Sequence, residues 1–98
     1  MFQRRVVITG MGAVSPVGIG VGPMWDNLVA GVSGAGTITQ FDPAEHRTKI
    51  ACEVTDFVIE DHLDPKEAKR MDRFRQCALV AAREAIEDGG LPKDDPDR

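Results

Sequence analysis

The 98-residue sequence is short of cysteine, of aromatic residues and of positive charge, and it lacks a long apolar run. Its two cysteines, Cys52 and Cys77, lie 77 − 52 = 25 positions apart, too few and too distant for a zinc knuckle or a disulfide framework, so reduced thiols are expected. Residues 6–25 carry no charge and follow Arg4 and Arg5, yet five glycines and two prolines interrupt them and no apolar stretch there exceeds three residues. That excludes a secretory core and a membrane-spanning helix, leaving the cytoplasm as the expected compartment and no membrane partner. Lys and Arg number 12 against 16 Asp and Glu, a net charge of −4 with a pI near 5.0. An acidic chain with only 5% aromatics, none of them interleaved with its basic cluster, is not built for nucleic acid.

What is present is a globular composition, 42% hydrophobic and 29% charged, at a length that bounds the chain to one small domain or a piece of a larger one. Eight of the ten glycines fall within the first 36 residues and most of the charge lies beyond residue 41. The β-branched run at residues 5–9 predicts a short buried strand in the middle of a sheet. Gly22 and Pro23 open a brief helix with Met24, Trp25, Leu28 and Val29 on one face, and Gly31 closes it. Ile50, Cys52 and Val54 alternate with Ala51, Glu53 and Thr55, the period of a half-covered strand with the cysteine inward. Asp64, Pro65 and Glu67 announce a long helix running to about Asp88, stopped by Gly89, Gly90 and Pro92. On it Met71, Phe74, Ala78, Ala82 and Ala85 share a face, and residues 77–82 predict a segment buried nearly all round, against more protein than 98 residues supply. Residues 93–98 read as a solvated or frayed end.

Gly10-Met11-Gly12 after a strand suggests a dinucleotide loop, but Ser15 holds the third glycine position and Pro16 with further glycines precedes any helix, so a tight structural turn is the expectation. Glu53 beside Cys52 raises rather than lowers a thiol pKa, Cys77 lies far from either helix end, and His46 and His62 have neither ligand spacing nor a placed partner. No catalytic, metal-binding or cofactor-binding residue is therefore assigned. The informative constellation is Lys66, Lys69, Arg70 and Arg73, whose i, i+3, i+4, i+7 spacing gathers four cations on the first two turns of the long helix. Cations at a helix N-terminus oppose the helix dipole, which favours an acidic partner over helix stability as their purpose; a merely solvated face is the alternative. Arg75 falls inside the apolar arc, explained only by snorkelling.

The stretch RRVVITGMGAVSPVG (residues 4–18), Trp25, the turn at residues 31–34, Phe41-Asp42 and KEAKRMDRF (residues 66–74) together resemble the N-terminus of β-ketoacyl-[acyl-carrier-protein] synthases, most of all the type II elongating enzyme of bacterial fatty acid synthesis. The resemblance runs in register from about Arg4 to Leu91. It implies an α/β, thiolase-like fold, of which residues 1–98 would be an N-terminal fragment of the first half: short buried strand, Gly-rich turn, short helix, strand, long helix. It also implies an acyltransferase that joins an acyl group to malonyl-carrier protein by decarboxylating Claisen condensation, working as a homodimer without cofactor. The family's nucleophilic Cys and assisting histidines come downstream, and Cys52, Cys77, His46 and His62 do not match them, so the chain alone is expected to be inactive. What carries over is docking: Lys66, Lys69 and Arg70 match the positions that meet the acidic acyl carrier protein, with Arg73 supported more by spacing than by the family. A non-catalytic chain-length-factor homologue of polyketide synthases and a free-standing binding module with a basic helix are the alternatives.

Overall fold

A computed structural model describes residues 3–55 and 57–91. Its radius of gyration is 17.2 Å, where a close-packed chain of this length would have about 13 Å, so much of the apolar surface is left open. Two two-stranded antiparallel sheets alternate with helices. Strands β1 (Val14–Ser15) and β2 (Gly18–Ile19) pair as Val14 with Ile19 and Ser15 with Gly18. Helix α1 (Val21–Val29) follows, held to the β1–β2 turn by the Asn27 side-chain amide, which donates to the Val17 carbonyl. Strands β3 (Ala35–Thr37) and β4 (Ile50–Cys52) form the second pair, with Gly36 opposite Ala51. A 3-10 turn at Ile59–Asp61 leads to α2 (Pro65–Ala68) and α3 (Arg73–Gly89).

Several local signals act as their chemistry dictates. Gly31 takes φ +75 after α1, and Gly90 takes φ +67 to end α3, conformations that favour glycine. Asp64 caps α2, its Oδ1 accepting from the Lys66 amide at 3.2 Å, and Pro65 holds the first helical position. Pro92 and residues 93–98 lie outside the described residues.

Four expectations are corrected. Residues 5–9 form no strand: Val6 is 91% exposed and Ile8 82%, because no described segment offers them a hydrogen-bonding edge. The alternation at β4 is inverted, with Ala51 half-buried while Ile50 and Cys52 are exposed, so Cys52 is not a core residue. Gly10 and Gly12 make no tight turn. They lie in an extended segment pressed against α3, where a Cβ on Gly10 would stand 2.9 Å from the Gly89 Cα and one on Gly12 2.9 Å from the Ala85 nitrogen. Finally, the long helix is broken, α2 ending at Ala68 and α3 beginning at Arg73, because Asp72 takes extended geometry (φ −68, ψ 158) as a second N-cap. α3 is covered on one side only: Val80 is buried and Ala81, Ala85 and Ile86 are half-buried, whereas Phe74, Ala78 and Ala82 face outward.

Two carboxylates of α3 fix the extended segment. Asp88 Oδ2 accepts from the Met11 amide at 3.0 Å and Glu84 Oε1 from the Ala13 amide at 2.8 Å. Amides two residues apart on one edge of an extended chain are about 6.6 Å apart, and side chains four residues apart on a helix about 6.0 Å, so the two spacings mesh. The second oxygen of Glu84 accepts from Val21, the first residue of α1, at 3.0 Å, where the helix N-terminus favours negative charge. Gly20 carries φ +100 beside that carboxylate and donates its amide to the Ala13 carbonyl. Phe57, Leu63, Ala68 and Val80 are the buried apolar residues among those described.

Candidate functional site

The basic cluster sits on the α2–α3 junction. Ala68 is buried, and at 100° per residue that inward anchor turns Lys66 and Arg70 to the opposite side and Lys69 to the flank. All three are exposed, and their side chains make no hydrogen bond or ion pair to another described residue. The break at residues 69–72 alters the reading of Arg73. Its guanidinium donates to the Val54 carbonyl and lies 5.6 Å from the Phe57 ring centroid, so it braces α3 against the segment after β4 and does not continue a stripe. The break also places Lys69 and Arg70 between the C-terminal end of the one-turn α2 and the N-terminus of the 17-residue α3, whose dipole still opposes them. Arg75, exposed, borders with Met71, Ala78 and Leu79 a shallow hollow of about 340 Å³.

One polar side chain ties the junction together. Gln76, half-buried at the end of the first turn of α3, donates its amide to the Ala68 carbonyl at 2.9 Å and to the Met71 carbonyl at 3.3 Å. The sequence reading missed it, because nothing in Met71-Asp72-Arg73 marks a break by glycine or proline; Asp72 as a possible second N-cap was the available signal.

A cleft of about 350 Å³ opens between the first strand pair and α3, lined by Ala13, Ile19, Val80, Arg83 and His62 with Glu84 at its rim. Arg83 Nη1 donates to the His62 carbonyl at 2.8 Å, and the His62 ring stacks on Phe57 at 5.7 Å. His46 packs edge-on to Phe41 at 5.3 Å. Both histidines are exposed; Cys77 is half-buried and, because the helix restarts at Arg73, lies in the second turn of α3 rather than far from a helix end as expected; no nucleophile–base pair or metal-ligating group occurs among the described residues. No helix there is long and apolar enough to cross a membrane.

The loop between β3 and β4 is the most polar-braced segment. Glu53 accepts from the Thr39 amide and hydroxyl at 2.9 Å each and from the Gln40 amide at 3.0 Å. The Thr39 amide hydrogen bond above all holds its carboxyl below the usual carboxylate value, helped by the Thr39 hydroxyl, the Gln40 amide and the charge of Arg73. Lys49 Nζ donates to the carbonyls of Pro43, Ala44 and His46.

Residues 3–98 match the family described as beta-ketoacyl synthase, N-terminal domain, and the chain belongs to it. It is 52% identical over 93 residues to the 3-oxoacyl-[acyl-carrier-protein] synthase 2 of Staphylococcus aureus strain N315, covering 95% of this chain and 22% of that relative. With the enzyme of the same name from Coxiella burnetii it shares 50% over 91 residues, 93% of this chain and again 22% of the relative. Among solved structures, the ishigamide ketosynthase/chain length factor superposes with a TM-score of 0.80 at 42% identity, over 96% of this chain and 23% of that one. The small mixed α/β arrangement fits the thiolase-like fold of that neighbour. The chain thus spans about a fifth of the length of the curated relatives it matches.

Proposed function

We propose that this chain is the opening part of a 3-oxoacyl-[acyl-carrier-protein] synthase, an acyltransferase of fatty acid synthesis. In the reaction, an acyl group passes from carrier protein to an enzyme thiolate. Malonyl-carrier protein then loses CO2, its α-carbon forms the new carbon–carbon bond, and the thiolate leaves. The observation that carries this reading is the identity of about half of all residues, across nearly the whole chain, with relatives bearing that name. The uncovered Val6–Ile8 segment and outward face of α3 support the view that residues 1–98 are part of a larger thiolase-like domain; a homodimer in the cytoplasm is the assembly and location that go with this reading. Within that enzyme, exposed Lys66, Lys69 and Arg70 form the surface that meets the acidic acyl carrier protein. The chain-length-factor reading draws on the ketosynthase/chain length factor neighbour but is less supported, since the higher identities are to synthases.

The test is to incubate the gene product carrying this chain with acyl- and malonyl-carrier protein and to follow CO2 release against 3-oxoacyl product. One CO2 per product supports the synthase. A protein that forms none alone but restores product to a separate ketosynthase is a chain-length factor, and the synthase reading falls. Residues 1–98 alone are expected to form none.

A further inference from the structure

Lys69 and Arg70 occupy a short arch between two helices, and the carbonyls at its two ends, Ala68 and Met71, are the acceptors of one side-chain amide. Four of the bonds in the arch are backbone: Ala68 to Asp64, Lys69 to Pro65, Arg70 to Glu67 and Met71 to Ala68. The last two span only three residues, the tightened geometry of a helix running out. Such an ending leaves carbonyls that need partners, and α2 has only one turn with which to satisfy them. From the next helix Gln76 supplies a donor to the Met71 carbonyl and a second donor to the Ala68 carbonyl, which already accepts from the Met71 amide. Its two amide hydrogens match two carbonyl oxygens, a pairing that a carboxylate of the same shape reverses into repulsion.

We propose that Gln76 is a positioning residue for the docking surface: by clamping the Ala68 and Met71 carbonyls it fixes the direction in which Lys69 and Arg70 present their charges to carrier protein. The inference rests on the docking role proposed above. Arg73 supports the same geometry from the other side, anchoring the first residue of α3 to Val54. Two long cationic side chains on an unclamped arch would keep their charge but spread it over many directions, and oriented docking would slow.

The experiment is a double-mutant cycle in the enzyme carrying this chain, between Gln76→Met and the pair Lys69→Ala with Arg70→Ala. Carrier-protein association rate is read at low and high salt, along with KM and kcat for carrier-bound substrate. Gln76→Met is expected to slow association roughly threefold at low salt, to raise KM by a similar factor with kcat nearly unmoved, and to have no further effect once both cations are gone. Gln76→Glu should be slower still, and Gln76→Asn, whose amide sits one methylene short, should not rescue. If Lys69→Ala with Arg70→Ala leaves association unchanged, the docking reading fails. If that pair slows association but Gln76→Met does not, or slows it equally in the absence of the cations, or lowers kcat instead of raising KM, the positioning role is overturned and Gln76 serves only the fold.

Discussion

Gly12 lies so close to Ala81 that a Cβ on the glycine would come within 2.8 Å of the alanine carbonyl carbon and closer still to its oxygen. The contact is backbone against backbone, so no rotamer change can relieve a clash. Gly12→Ala is expected to destabilise the fold by about 1–3 kcal/mol, the range for overpacking a fitted contact. Gly22→Ala, in open space near the start of α1, should change stability by no more than about 0.5–1 kcal/mol and in the stabilising direction. Urea midpoints of the two variants check both; equal midpoints would remove the close approach as the reason for glycine at position 12.

Glu84 joins three elements with one carboxylate, accepting from Ala13 and Val21. Glu84→Gln keeps one acceptor oxygen and turns an N–H donor toward the other amide. A loss of about 1–3 kcal/mol is expected, larger than for Asp88→Asn, whose bond to Met11 is exposed. Denaturant titration of both variants gives the order, and the reverse order would contradict it.

The clasp of Glu53 on Thr39 and Gln40 gives the β3–β4 loop an acid sensitivity of predictable sign. Its carboxyl is held below the ordinary value of 4.5, so its contribution is complete above that pH and is lost as pH falls through the lower folded value. The Thr39 and Gln40 amide resonances should therefore move together with a midpoint below 4.5. In Glu53→Gln that inflection should vanish; a midpoint at or above the ordinary value would refute the clasp.

The basic surface predicts a salt-dependent association. Reversing Lys66, Lys69 and Arg70 to Glu together should slow carrier-protein binding by about tenfold or more at low salt, and the difference should shrink as salt screens the approach. Stopped-flow rates at two ionic strengths decide. Normal binding by the triple variant at low salt would leave the three residues as a solvated face.

The parts of the fold legible in sequence were those written in local chemistry: Asp64 and Pro65 opening α2, Gly90 ending α3, Gly22 and Pro23 near the start of α1. The exposure of Lys66, Lys69 and Arg70 was legible for the same reason, since Ala68 alone among their neighbours is apolar and small. What escaped depends on a distant partner. Gly10 and Gly12 look like a turn until α3 is laid across them, and Glu84 and Asp88 look like solvated acids until the amides of Ala13 and Met11 arrive. Val6, Val7 and Ile8 have the composition of a central strand, but strand pairing is a property of two segments, and the described residues supply only one.

The meshing of Met11 and Ala13 with Asp88 and Glu84 behaves as a vernier. Each step along the extended chain outruns the matching helical step by about 0.6 Å, so the two scales agree over a pair of marks and then separate. The next helical mark is Val80, which is buried and has no oxygen to offer, and the next chain mark is Ser15, already paired in β1 with Gly18. The carboxylate-to-amide pairing thus stops where the scales part, and the chain goes over to strand pairing in β1. One residue inserted between Gly12 and Ala13 would turn an amide away from Glu84 and, through its second oxygen, uncap α1 in the same stroke.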